Sequence, residues 1–342
     1  MQLPFFAKRG AAPLDFLAIG DTVVDDFIRL TDARTHCNLD DESCEICMRW
    51  GDKIPFESST HVAGVGNAAN AAVSAARLGL SCALVTNVGD DRYGEEIRDA
   101  LAAEKLDTRY IATESGKRTN YHYVLWFESE RTILVKHETY TYSFPKDLPP
   151  VKALYLSSLG EVPDAYYDEI ASFAESRPDL MLAFQPGTFQ MKMGTERLSR
   201  IYKRSNLFFC NKEEAERILG LPGGSEIAAL LDALHALGPK TVVITDGRNG
   251  AYASDGSRKL FVPMYPDHRD PKERTGAGDA FASTVTAALA LGEPLEQALL
   301  WGPINSMCVV QEIGAQKGLL PRVTLETYLK DAPEEYRTTP LA

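Results

Sequence analysis

The segment Thr275-Gly-Ala-Gly-Asp279 places glycines and one carboxylate directly before Ala280–Leu291, where Phe281, Val285, Ala288 and Leu289 recur at helical spacing. Backbone N–H groups at a helix amino terminus lack intrahelical partners, and the helix dipole favours negative charge there. Glycine admits an anion to those groups without a side chain in the way. Gly276, Ala277 and Gly278 therefore suit a phosphate. Asp279 is a poor phosphate ligand, but it is well suited to accept the proton of an attacking hydroxyl during phosphoryl transfer. The plainer alternative makes Asp279 a helix N-cap, for which Asp is among the best residues.

Other segments carry chemistry with alternatives of their own. Asn211-Lys-Glu-Glu214 offers an amide and a carboxylate that suit a hydrated hard cation, yet alone it reads better as a capped helix start. Thr245–Gly250 is a turn after an apolar run. Gly64-Val-Gly-Asn-Ala-Ala-Asn70, with Asp90 downstream, imitates the fingerprint of a nicotinamide-dependent oxidoreductase. The imitation is weak, because polar Glu57–Ala63 stands where a buried strand is needed. His36, Cys37, Cys44 and Cys47 could hold zinc, which would also allow a metal-stabilised binding module. Free cysteines packing a loop-rich region are the favoured reading, and a redox switch closing Cys44 to Cys47 is a third.

These groups need a scaffold, and its elements are visible. Short apolar runs at Leu14–Gly20, Cys82–Thr86, Ala153–Leu156, Leu180–Phe184, Asn206–Cys210 and Thr241–Thr245 read as buried strands. Helix-like stretches lie between them (Gly66–Leu78, Tyr93–Glu104, Lys212–Leu219, Ser225–Leu237). That alternation predicts a parallel sheet covered on both faces. Residues 21–62 and 117–144 break the pattern and predict a small β-sheet inserted as a lid in a single domain spanning 1–342. With 36 basic and 48 acidic side chains, the net charge of −12 opposes general binding to nucleic acid or anionic membrane. Lacking a spanning apolar window or secretory signal, the chain is expected in the cytoplasm.

In this order along the chain, the segments resemble the ribokinase or PfkB family of sugar and nucleoside kinases. The Gly-Ala-Gly-Asp motif is the most specific element. The resemblance implies a ribokinase-like three-layer αβα sandwich with a β lid, with Asp279 as catalytic base and Gly276, Ala277 and Gly278 as the anion hole. It implies ATP and Mg²⁺ near Asn211, Glu214, Thr245, Gly247 and Gly250, and an acceptor held by Asp25, Gly66 and Asn70. The family's Asp-Thr-Thr lead-in appears as Glu273-Arg274-Thr275, and Gly314–Gly318 resembles the segment beside a monovalent-cation site. The expected acceptor is the hydroxymethyl group of a sugar, with a nucleoside as the alternative. A homodimer through the lid is a further expectation. Tyr121, Tyr123, Trp126 and Phe127 are candidates for stacking on a base or for sheet packing. Arg131 and Lys136 are candidates for clamping a substrate phosphate, and Gln185–Thr188 is a contact loop of unassigned role.

Overall fold

The computed structural model describes residues 12–38, 43–128 and 130–341. Its strands in chain order are β1 (Leu14–Ile19), β2 (Val23–Leu30), β3 (Arg34–Asn38), β4 (Ser43–Cys47), β5 (Phe56–Val65), β6 (Cys82–Gly89), β7 (Ile111–Glu114) and β8 (Tyr121–Phe127). They continue with β9 (Glu130–Lys136), β10 (Val151–Leu156), β11 (Met181–Phe184), β12 (Leu207–Asn211), β13 (Thr241–Thr245), β14 (Ala251–Ser254), β15 (Lys259–Val262) and β16 (Thr339–Pro340). Among the described residues, ten strands form one sheet in the order β16-β15-β14-β13-β12-β11-β10-β1-β6-β7. Its pairs from β13 through β1 to β7 are parallel, and β14, β15 and β16 extend it antiparallel.

Alternation along the central strands explains the three layers. In β1, Phe16 and Ala18 join one buried cluster with the helices Asn67–Arg77, Ala277–Leu291 and Leu295–Val310. Leu17 and Ile19 point the other way, into a cluster with Asp164–Glu175 and Ile227–Ala236. A strand covered on both sides has no polar face, which is why its sequence reads as a continuous apolar run. No helix among the described residues is long and apolar enough to cross a membrane.

The two polar segments build a second sheet, ordered β5-β2-β8-β9. Successive side chains alternate across it, and its register pairs Asp25 with His122 and Trp126 with Arg131. One face therefore carries Asp25, Phe27, His122, Trp126 and Arg131. This face looks inward: Phe27 and Val62 approach Gly314, and the Arg131 guanidinium lies 3.7 Å from Glu273. The outer face carries Tyr121, Tyr123, Leu134 and Lys136, which with Tyr93 and Arg118 line a separate cleft. Tyr121 bonds Asp26 and packs on Tyr93 at 4.8 Å. Tyr121, Tyr123 and Lys136 thus lie on the opposite face from Asp25, against their proposed part in holding a base or a substrate phosphate.

The cysteine expectations are corrected here. β3 and β4 form their own hairpin in which Cys37 faces Cys44, with Cα atoms 4.0 Å apart, and the two are joined by a disulfide. They are not free thiols, and the redox pair is not Cys44 with Cys47. Cys47 is exposed and unbonded, opposite Arg34. A zinc site at His36, Cys37, Cys44 and Cys47 loses two thiolates to that bond, and no metal-holding cluster of three or more such residues occurs among the described residues. Adjacent strand positions also send His36 and Cys37 to opposite faces.

The dinucleotide alternative fails on topology. The helix at Asn67 follows β5, an antiparallel strand of the small sheet, and not a buried parallel strand. Asp90 organises a turn by accepting from Ser115 Oγ at 2.9 Å and Gly116 N–H at 3.0 Å.

Candidate active site

Residues that could do chemistry gather beyond the carboxyl ends of the parallel strands, where open α/β sheets bind ligands. Asp21 follows β1, Gln185 follows β11, Asn211 ends β12 and Thr245 ends β13. Facing them is the amino terminus of the helix Ala277–Leu291.

The N-cap of that helix is Gly276, in a left-handed conformation (φ 79°), so Asp279 is not the cap. The first bond back into the helix is from Ala280 N–H to Gly276 O at 2.8 Å, which leaves the N–H groups of Gly278 and Asp279 without intrahelical acceptors. The Asp279 carboxylate is turned toward other elements. Its Oδ1 accepts from Asn67 Nδ2 at 3.0 Å and Gln185 Nε2 at 3.4 Å, and its Oδ2 accepts from Asn70 Nδ2 at 2.9 Å. Burial raises its pKa above the ordinary carboxylate value, with the amides of Asn70, Gln185 and Asn67, and then Arg131, opposing the rise. The result is a buried, fixed carboxylate with raised basicity.

Each supporting amide is held in turn. The Tyr155 hydroxyl donates to Gln185 Oε1, which directs the Gln185 NH₂ toward Asp279. Gln316 Nε2 donates to Asn70 Oδ1 at 3.1 Å and to Gly64 O at 2.8 Å. Glu273, 5% exposed, accepts from Thr275 N–H at 2.8 Å, from the Thr275 hydroxyl and from Gly314 N–H at 3.0 Å. Glu273 therefore ties the lead-in of the glycine segment to the loop after Val310. Gly66 sits where a Cβ would lie 2.7 Å from Asp21 O, so its role here is close packing at the turn between β1 and β2.

A cavity of about 350 Å³ opens beside the glycine segment. Thr245, Gly247 and Gly250 line it from one side and Ala277 and Gly278 from another, with Met264 and Phe281 among its apolar walls. Asn211 and Glu214 do not line it. They form a reciprocal capping box: Asn211 Oδ1 accepts from Glu214 N–H at 2.7 Å, and Glu214 Oε2 accepts from Asn211 N–H at 2.9 Å. Burial raises the Glu214 pKa, the Asn211 N–H opposes this, and the negative charge of Asp279 adds to it. Glu214 therefore feels Asp279 electrostatically despite its structural task. Asn211→Ala should lose about 1 kcal/mol of stability, read as a lower urea midpoint with an unchanged slope.

Asp25 lies under the small sheet, its Oδ1 3.2 Å from His122 Nδ1. Nearby Asp21, 8% exposed, accepts from the Tyr142 hydroxyl and from Gly160 N–H, each at 2.7 Å. Burial raises its pKa from 3.8 to about 6 against those two bonds. A carboxyl with a raised folded-state pKa favours folding below its unfolded pKa and loses that contribution as pH rises through the folded value. Asp21→Asn should therefore stabilise the protein at pH 7 to 8 by up to about 3 kcal/mol. That advantage should fade between about pH 6 and pH 4, as thermal unfolding across a pH series would show.

Sequence reasoning missed Asn67, Gln316 and His122. Asn67 had a usable signal, since it precedes Asn70 by three residues and so shares its helix face. Gln316 lay in the Gly314–Gly318 segment already singled out, but its contact with Asn70 had no local signal, and neither had the approach of His122 to Asp25, because these partners lie far away in the chain.

A doubly covered α/β sheet with a buried carboxylate and free N–H groups at a glycine-rich helix start is the architecture of a phosphotransferase acting on an alcohol group. The chain belongs to the pfkB family of carbohydrate kinases, whose model matches residues 38–322. It is 28% identical over 272 residues to a ribokinase of Bacillus subtilis (strain 168), covering 77% of this chain and 87% of that protein. It is 30% identical over 258 residues to a cytidine kinase of Thermococcus kodakarensis, covering 73% of this chain and 88% of that protein. The fold is that of the Arabidopsis thaliana ribokinase solved with ribose and ATP, with a TM-score of 0.77 at 18% identity over 93% of this chain and 99% of that one.

Proposed function

We propose that this protein is an ATP-dependent kinase that phosphorylates the hydroxymethyl group of a sugar, with Asp279 as general base. The observation that carries this reading is the Asp279 carboxylate. It is buried, held by three side-chain amides instead of capping its helix, and beside N–H groups that open onto a nucleotide-sized cavity. ATP occupies the cavity between the Thr245–Gly250 turn and the helix start. The acceptor lies under the small sheet, which serves as a lid within one domain. Asp279 takes the hydroxyl proton as the acceptor oxygen bonds to the γ-phosphorus and the bond to the β,γ-bridging oxygen breaks, releasing ADP. The N–H groups of Gly278 and Asp279 stabilise charge on the transferring phosphoryl group, and Asn70 and Gln185 keep the base aimed.

Glu214 suits Mg²⁺ through water: its capping box uses only Oε2, and the repulsion it feels from Asp279 is what a cation between them would relieve. When bound, Mg²⁺ neutralises phosphate charge. A monovalent cation beside Gly314–Gly318 would steady the loop that Glu273 and Gln316 hold in place.

The nucleoside alternative is supported by the similarity to a cytidine kinase. Incubation with ATP, Mg²⁺ and a panel of pentoses, hexoses and nucleosides, followed by detection of the phosphorylated product, separates the two. Acceptor-dependent ADP release with a sugar supports the first reading, and release with nucleosides alone supports the second. Failure of every acceptor rejects both. Ile133, Leu134 and Val135 are exposed on the edge strand β9, which supports a homodimer through the lid. Sedimentation should give twice the chain mass, and Leu134→Lys should halve it.

A further inference from the structure

The outer face of the lid, turned away from Asp25, carries a cleft of about 330 Å³. The helix Arg92–Ala103 supplies Tyr93, the turn before β8 supplies Arg118, and β8 and β9 supply Tyr121, Tyr123 and Lys136. Lys136 stands directly across from Tyr121 in the register, and strand alternation puts Tyr123 on the same face. The rings form a continuous floor, with centroids 4.8 Å apart from Tyr93 to Tyr121 and 5.1 Å apart from Tyr121 to Tyr123. Two of the three are already engaged: the Tyr121 hydroxyl bonds Asp26, and the Arg92 guanidinium lies over the Tyr93 ring at 4.8 Å. Tyr123 is the open ring, 46% exposed. The carboxylates around the cleft are also engaged. Asp91 accepts from Gly94 N–H at 3.0 Å, from the Thr119 hydroxyl at 2.6 Å and from Thr119 N–H at 3.0 Å. Asp26 is shared by Tyr121 and His61, and Glu96 by His61 and Arg92. The cations of the cleft differ. Among the described residues neither Arg118 nor Lys136 has an ion-pair partner, whereas Lys117 beside them lies 3.6 Å from Glu138. Arg118 is near enough to Asp91 to feel its charge without pairing with it.

From this cleft we infer a second ligand site, separate from the acceptor and ATP sites proposed above, that takes a nucleoside monophosphate with its base stacked on Tyr123 and its phosphate held by Arg118 and Lys136. An exposed tyrosine ring stacks on any base, and a guanidinium and an ammonium without protein partners are the donors that phosphate oxygens accept from most strongly. Size and charge narrow the occupant. The volume suits one small ligand, and the net charge of −12 opposes a longer polyanion, so a single nucleotide fits and a nucleic acid does not. A neutral sugar would leave both cations unanswered, and inorganic phosphate would leave the rings uncovered. None of these residues takes part in the steps proposed for Asp279, so the site stands apart from the kinase reading. Its occupant would join the strands of the lid to the helix Arg92–Ala103 of the main body.

The test is calorimetric titration of the full chain with AMP, CMP, GMP and UMP, in saturating ADP and Mg²⁺ to fill the cavity assigned to ATP. At least one monophosphate should bind, one molecule per chain, about 10-fold or more tighter than its nucleoside or inorganic phosphate. Tyr123→Ala and Lys136→Gln should each weaken that binding about 5-fold or more, and Tyr123→Phe, which keeps the ring, should bind as the wild type does. Both side chains are exposed, so the variants should unfold at the wild-type urea midpoint and keep the wild-type turnover measured without monophosphate. The inference is overturned if none of the four binds, if both weakening variants bind as tightly as the wild type, or if benzoate binds more tightly than every monophosphate. Binding that ADP displaces and Tyr123→Ala leaves unchanged would place the nucleotide in the ATP cavity and overturns it as well. Failure of ADP to bind would count against the kinase reading alone, because the Tyr123 and Lys136 variants still decide this site.

Discussion

On the role proposed for Asp279 as general base, Asp279→Asn should lower turnover about 10²- to 10⁴-fold, the usual worth of such a group, while ATP affinity should stay within about twofold. The side chain is nearly isosteric, so the helix start and the nucleotide cavity keep their shape. The loss comes from the missing proton acceptor. In the wild type, activity should then fall as pH drops, because a protonated carboxyl cannot take the hydroxyl proton. Burial raises this pKa, so the acid limb lies above the range of an ordinary Asp, and it disappears from the residual rate of Asp279→Asn. Single-turnover kinetics with saturating ATP and a calorimetric ATP titration provide the two readouts. Unchanged turnover in the variant refutes the assignment.

Gly276→Ala removes both stability and activity, and Gly278→Ala removes activity alone. A Cβ on Gly276 would lie 2.4 Å from Ala315 Cβ and 2.8 Å from Ala315 Cα, and its φ of 79° is unfavourable for any L side chain. The left-handed conformation costs about 1–2 kcal/mol, and overpacking adds about 1–3 kcal/mol. Ala315 cannot rotate away, so the loop must move, taking with it Gln316 and its bond to Asn70. A Cβ on Gly278 meets only Gln185 Nε2, at 3.8 Å, so that variant should fold normally while its new methyl group stands over the N–H groups proposed to face the phosphate. Urea denaturation should separate the pair by about 2–4 kcal/mol, with turnover reduced at least about 10-fold in both. Equal stabilities would contradict the packing account.

Much of the scaffold was legible because its signals are local. The apolar runs that became β1, β6, β10, β11, β12 and β13 are continuous because both faces of those strands are covered. The polar stretches that formed the second sheet stood out for the opposite reason. The glycine segment was legible through its place before a helix, but not whether Asp279 caps that helix, since a cap and a proposed base have the same local spelling. What separates them is the direction of the carboxylate, set by Asn67 and Asn70 from more than 200 positions earlier. Asn211 and Glu214 show the converse, for their contact is local and the capped-helix reading matches the geometry.

By itself, then, the sequence determined the order of elements through periodicity, pointed to the family through its motifs, and marked the glycine segment as the candidate for phosphoryl chemistry. Tertiary structure alone decided which neighbours share a site. Asp25 and Asp26 are adjacent in sequence, yet strand alternation turns one toward His122 beneath the lid and the other outward to His61, at 2.8 Å, and Tyr121. Cross-strand register likewise joined Cys37 to Cys44 and placed Tyr121 away from Asp25. A shift of one residue in pairing reverses every such outcome, and register is set by contacts between segments that spacing along one segment does not encode.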